Sequence, residues 1–257
     1  GFVMDDGTTA CLGENHYVMT TTTAAAGQVM AHLEFVTQVL QPQWNVRISS
    51  VTEQWAQFSI AGPKARALLQ DLAGAGFVPS DWPFMSCGQL QLGDVMARLF
   101  RISFSGELAY EIAVPTRYGD ALMREVMAAG EAFDVTPDGT EALGVMRIEK
   151  GHAAGNELNG TTTALNLGLG RMVSGKKDCI GNVLSRREGM NTDDALRLVG
   201  LKPVTPAQSL PAGGHLMAAS GPVDAAHDQG YVTSAAYSPT LGTAIGLGFV
   251  KGGAERL

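Results

Sequence analysis

RISSVTEQWAQFSIAGPKARALLQDLAG (Arg47–Gly74) is the stretch from which the fold class can be read. Two strand-like segments lead up to Gly62-Pro63, and an Ala/Leu-rich helix begins with Pro63 near its first turn, where a missing N–H costs little. Upstream, HYVMTTTT (His16–Thr23) is rich in β-branched and aromatic residues and predicts a strand. In the following AAAGQVMAHLEFVTQVL, Val29, Leu33, Val36 and Leu40 recur at helical spacing. Downstream, LGDVMARLFRIS and LAYEIAVP read as paired strands, and RYGDALMREVMAAGE as a helix with Leu122, Val126 and Met127 on one side. Strand, helix, strand, turn, helix is an α+β pattern, and the two runs suggest a loosely repeated unit of sheet and covering helix.

From Leu196 the texture changes to RLVGLKPV, HLMAAS, QGYVTSAAYSP and GTAIGLGFVKGG, short strands separated by Gly, Pro and Ser. They predict a small antiparallel β-barrel or sandwich as a C-terminal lobe. With Asp178–Asp194 as connector, the expected division lies near Asn191, into 1–190 and 191–257.

Composition narrows the function classes. The 257 residues are 45% hydrophobic and 17% charged, which is globular, and no apolar run approaches the roughly 20 residues that span a bilayer. A net charge of -7, with basic residues clustered only in pairs such as Lys176-Lys177 and Arg186-Arg187, disfavours nucleic acid. Cys11, Cys87 and Cys179 are widely spaced and odd in number, which suits reduced thiols in a cytoplasmic protein better than disulfides. The five histidines show no metal-ligand spacing, so no metal is expected. Gly168-x-Gly170 and Gly246-x-Gly248 lack the strand-to-helix context of a dinucleotide fingerprint.

Three places could carry chemistry. In ISFSGELAYEIAVP (Ile102–Pro115) the second strand puts Leu108, Tyr110 and Ile112 on one face and Ala109 and Glu111 on the other. Glu111 is either a solvated hairpin residue or a pocket carboxylate, whose two coplanar acceptors match a ring with adjacent N–H donors. In GVMRIEKGH (Gly144–His152), near the end of a helix begun at Thr140 and stopped by Gly151, Arg147 is either a surface charge or the partner of an anionic group or ring carbonyl. Asp5 and Asp6, before Gly7, read by themselves as a solvated turn.

FVMDDGTTACLGENHYVMTTTT, SVTEQWAQFSIAGPKARALL and GYVTSAAYSPTLGTAIGLGFVKGG, taken together, resemble one family. It is the folate-binding, aminomethyltransferase-like region of the α subunit of heterotetrameric sarcosine oxidase, shared by dimethylglycine dehydrogenase and the T-protein of the glycine cleavage system. ISFSGELAYEIAVP resembles the family's glutamate-bearing hairpin, and GVMRIEKGH its arginine-bearing helix end.

The resemblance implies ferredoxin-like α+β subdomains around a central folate site, with a small β-barrel behind. It implies tetrahydrofolate as cofactor, and flavin (FAD or FMN) and NAD only on other parts or partner subunits. The implied enzyme is an oxidoreductase on CH–NH donors that captures the one-carbon unit of an N-methyl amine such as sarcosine as 5,10-methylenetetrahydrofolate. Asp6 would lie near the reactive nitrogens, with Asp5 as the fallback. Glu111 would hold the pterin, Phe104 would stand where the family often has tyrosine, and Arg147 would belong to the folate site. Phe104 lacks the phenolic hydroxyl, and Leu108-Ala109 replaces the usual acidic-glycine turn. The resemblance also implies a parent chain longer at both ends, partner subunits of the sarcosine oxidase kind, and reduced activity of the piece alone. A stand-alone aminomethyltransferase or demethylase, and a non-catalytic folate-binding or assembly module, are the competing expectations.

Overall fold

The computed structural model describes residues 1–190, 192–205 and 208–253. The division expected near Asn191 lies outside the described residues. The chain forms two compact units: Gly7–Gly139, and Gly1–Asp6 together with Thr140–Leu257. Both combine helices with antiparallel sheet, the mixed class expected.

The Gly7–Gly139 unit opens with the hairpin β1 (Thr9–Gly13) and β2 (His16–Met19). Gly7 permits its entry, since a Cβ there would lie 2.0 Å from the carbonyl oxygen of Thr20. Helix α1 (Ala26–Phe35) continues into a wider turn at Val36–Leu40. The apolar stripe predicted for this segment exists, but only Val36 is buried. Then come β3 (Trp55–Ala61), α2 (Ala65–Ala73), β4 (Cys87–Leu92), β5 (Val95–Phe100), β6 (Ala109–Pro115) and α3 (Gly119–Gly130).

The strands form one sheet in the order β3-β6-β5-β4, antiparallel throughout. Two sequence expectations change here. Arg47–Ser50 has no strand ladder, and Val46 just before it is 52% exposed, so this segment buries no face that would reward pairing. The two runs also make one sheet rather than a repeat, because β3 pairs along its whole length with β6, Trp55 opposite Pro115 and Ala61 opposite Ala109.

The register assigns the faces. Ile60, Leu90, Ala97, Leu99, Tyr110, Ile112 and Val114 turn to the core with Leu68 and Leu69 of α2 and Leu122 and Val126 of α3. Each large apolar side chain so buried contributes about 1.5–3 kcal/mol. Helix α2 reaches this face through Ala65, Leu68 and Leu69, spaced one helical turn apart. Gly62, at φ +119°, makes the strand-to-helix turn and donates its N–H to the Leu108 carbonyl at 2.9 Å. The opposite face carries Trp55, Gln57, Ser59, Gln89, Arg98 and Glu111.

In the other unit, α4 (Thr140–Lys150) packs Ile148 on Ile245 and Leu247. The strands β7 (Leu196–Leu201), β8 (His215–Met217), β9 (Asp228–Ser238) and β10 (Thr243–Lys251) run in the order β7-β10-β9-β8. All pairs are antiparallel, and among the described residues the sheet is open, with β7 and β8 at its edges. Its longest pairing requires glycine at 230 (φ +140°), where a Cβ would sit 1.9 Å from the Phe249 carbonyl oxygen. No helix among the described residues is long and apolar enough to cross a membrane.

Candidate functional site

Glu111 stands at the middle of β6 on the polar face of the Gly7–Gly139 sheet, opposite Ser59 of β3 and Phe100 of β5. Its side chain is half-buried. Burial pushes its carboxyl above the usual glutamate value, and a hydrogen bond from Gln57 pulls it partly back. The donor is Gln57 Nε2, two positions along β3 from Ser59, and the acceptor is Glu111 Oε2. The cation nearest in register, Arg98 opposite Ala113, lies over the Trp55 ring at 3.7 Å instead. The ion pairs among the described residues do not include Glu111. With no cation paired to it among the described residues, this half-buried carboxylate can accept further N–H donors.

Phe104 is half-buried in the loop between β5 and β6. That loop turns at Gly106 (φ +86°), whose N–H donates to Ser103 Oγ at 3.0 Å. At its base Arg101 donates to the Ala109 carbonyl at 2.9 Å and lies 5.0 Å from the Tyr110 ring centroid.

Arg147, Asp5 and Asp6 belong to the other unit. Arg147, on the last turn of α4, is engaged on several sides. Its Nη1 donates to Glu157 Oε2 at 3.0 Å and to the His152 carbonyl at 3.3 Å, and its Nη2 donates to Ser234 Oγ at 2.6 Å. Glu157 is fully buried and also accepts from the Ala154 N–H at 2.9 Å and from Ser234 Oγ–H at 2.7 Å. The neighbouring Glu149 accepts from Ser238 Oγ–H at 2.5 Å. The arrangement ties α4 to β9 and to the turn at Gly155–Glu157.

The same network reaches the start of the chain. Thr162 Oγ1 donates to the Glu157 carbonyl at 2.9 Å, the Thr162 carbonyl accepts the Val3 N–H at 2.8 Å, and Phe2 bridges Thr163. Asp5, half-buried, and Asp6, exposed, follow this paired segment after Met4. The structure therefore groups Asp5, Asp6 and Arg147 on one scaffold and Phe104 and Glu111 in the other unit. Sequence reading missed Gln57, Glu157 and Ser234. Gln57 is brought in by the pairing of β3 with β6, and no local pattern marks Glu157.

Antiparallel sheets with covering helices are the fold class that comparison with known proteins makes explicit. Residues 1–177 match the family described as GCVT N-terminal domain, and residues 197–257 match the Glycine cleavage T-protein C-terminal barrel domain. The chain belongs to the GCVT family. It is 48% identical to the sarcosine oxidase subunit alpha of Rhizobium meliloti (strain 1021), over 100% of this chain and 26% of that one. It is 27% identical to the aminomethyltransferase of Halothermothrix orenii, over 98% of this chain and 67% of that one. The crystal structure of the glycine cleavage system aminomethyltransferase T from Bartonella henselae shares the fold, with a TM-score of 0.77 at 23% identity, covering 97% of this chain and 64% of that one. The chain thus spans about a quarter of the length of the sarcosine oxidase α subunit it matches.

Proposed function

We propose that this chain is the tetrahydrofolate-binding portion of a sarcosine oxidase-type enzyme, with 1–190 as the folate-binding domain and 191–257 as its strand-rich companion. It would work in the cytoplasm beside partner subunits that oxidise the amine. Identity of 48% along the whole chain to a sarcosine oxidase subunit alpha supports the choice of enzyme. The observation that carries the folate reading is Glu111: a half-buried carboxylate, raised by burial, held by an amide and paired with no cation among the described residues. A reduced pterin ring presents neighbouring N–H donors, which such an acceptor fits.

When bound, tetrahydrofolate supplies two nitrogens that accept a one-carbon unit at the oxidation level of an imine or formaldehyde. The residues of this chain orient and assist. Glu111 fixes the ring edge, and Phe104 offers a ring face without a hydroxyl. Asp6 accepts the proton that leaves the attacking nitrogen or stabilises the positive charge that forms there, with Asp5 as its substitute. Arg147 holds Glu157, whose carbonyl accepts from Thr162, the residue that pairs with Val3 just ahead of Asp5 and Asp6. Flavin and NAD would belong to other parts or partners.

The test is calorimetric titration with tetrahydrofolate, beside product formation in the assembled enzyme turning over sarcosine. Glu111→Gln is expected to weaken binding about tenfold or more. Asp6→Asn is expected to leave binding near normal and lower 5,10-methylenetetrahydrofolate formation about a hundredfold. Saturable binding that Glu111→Gln leaves intact would remove Glu111 from the site, and no saturable binding at all would leave an assembly module.

A further inference from the structure

We propose that Gln57 is the positioning residue of the Glu111 site: its amide N–H holds one carboxylate oxygen and leaves the other to the N–H donors of the ligand. The proposal rests on the reading of Glu111 as the anchor of the pterin ring. Register places the two together. Ser59 is directly opposite Glu111 and Gln57 is opposite Ala113, so Gln57 is the diagonal neighbour of Glu111 on the same face. Ala113 is too small to occupy the space beside Gln57, which lets the amide turn along the strand toward Oε2.

The surroundings of Glu111 provide few substitutes for this donor. From β5, Phe100 opposite Glu111 is buried and apolar, and Arg98 lies over Trp55. Arg101, just beyond β5, donates to the Ala109 carbonyl. From β4 the facing residue is Cys87, opposite Phe100, whose Sγ points to the Cys11 carbonyl at 3.5 Å. From β3 the same face brings Trp55, Gln57 and Ser59, of which none titrates. Arg98 and Cys87 are thus the titratable groups on the Glu111 face of the sheet, Arg101 lying over the Tyr110 ring instead, and Gln57 is the hydrogen-bonding side chain of Glu111 among the described residues.

Burial and Gln57 act on Glu111 in opposite senses, the first favouring the neutral acid and the second the carboxylate. The carboxylate accepts N–H donors on both oxygens and more strongly than the neutral acid, one of whose oxygens carries the proton. Loss of the amide therefore moves the acid limb of ligand binding to higher pH, and an ammonium in its place moves it to lower pH. A residue that merely fills space would weaken binding equally at every pH.

The test is titration of the full chain with tetrahydrofolate, protected from oxygen, from about pH 5 to about pH 8. Wild type is compared with Gln57→Leu, Gln57→Lys and Glu111→Gln, each first shown by thermal unfolding to be folded. The Glu111→Gln profile reports the titration of the ligand itself. Gln57→Leu is expected to bind about tenfold more weakly at the acid end and to recover toward the alkaline end, while Gln57→Lys retains affinity at the acid end. If Glu111→Gln weakens binding but both Gln57 variants give pH-independent changes or none, the positioning role is overturned and the anchor reading stands. If Glu111→Gln binds like wild type, the anchor reading falls and the proposal falls with it.

Discussion

Glu157 and Glu111 are glutamates drawn out of water in two different ways. Glu157 is fully buried, yet it has a guanidinium, a hydroxyl and a backbone N–H directed at it. Glu111 is less buried, yet among the described residues it has a single amide and no cation. A buried anion that is completely satisfied holds the fold; one that is incompletely satisfied costs stability until something else supplies donors. The comparison separates the scaffold of one unit from the proposed ligand-facing surface of the other, using the same residue type.

The largest expected effect falls on the scaffold. Arg147→Leu strands the Glu157 carboxylate and is expected to destabilise the chain by about 3–5 kcal/mol in urea unfolding. The double variant Arg147→Leu with Glu157→Met is expected to recover much of that loss, since replacing both charges removes the desolvation they share. If the double variant is as unstable as the single one, Arg147 and Glu157 do not act as a pair. Ser234→Ala, which takes a hydroxyl from both partners, is expected to cost about 1–3 kcal/mol.

Glu111→Gln should do the reverse and leave stability unchanged or raised near neutral pH. The sign follows from proton linkage. The folded carboxyl titrates above its unfolded value, so the native state binds more protons between the two values. Stability contributed here is present below the unfolded value and falls as pH rises through the folded one. Unfolding free energy measured against pH should show this decline in wild type and a flatter course in Glu111→Gln. The smallest effect belongs to Arg124→Ala, which breaks an exposed pair with Asp120 one turn away on α3 and is expected to cost about 0.3–0.5 kcal/mol.

Much of the fold was legible because it is local. Gly62-Pro63 ahead of Ala65, Leu68 and Leu69 announces α2, Leu122 and Val126 mark the buried side of α3, and Gly151 (φ +83°) stops α4 as expected. The alternation around Tyr110 and Ile112 put Glu111 on the face away from the core. What escaped depends on distant partners. The stripe through Val29, Leu33, Val36 and Leu40 predicts a helix correctly but not what covers it, and here that side is only partly covered. The pairing of β3 with β6, and hence of Gln57 with Glu111, is set by tertiary context. Arg147 was singled out from its helix, but the residue that engages it lies in an irregular turn without periodicity.

Gln57 and Glu111 are 54 positions apart in the chain, a separation that matters for kinetics. The turn into α2 and the β4–β5 hairpin can form from neighbouring residues, whereas β3 must wait for β6 to be brought across the intervening chain. In refolding, helix signal should therefore return ahead of the polar face. Competence to hold a ligand at Glu111 should appear only with the slowest sheet-forming phase, which makes ligand capture a late reporter of folding.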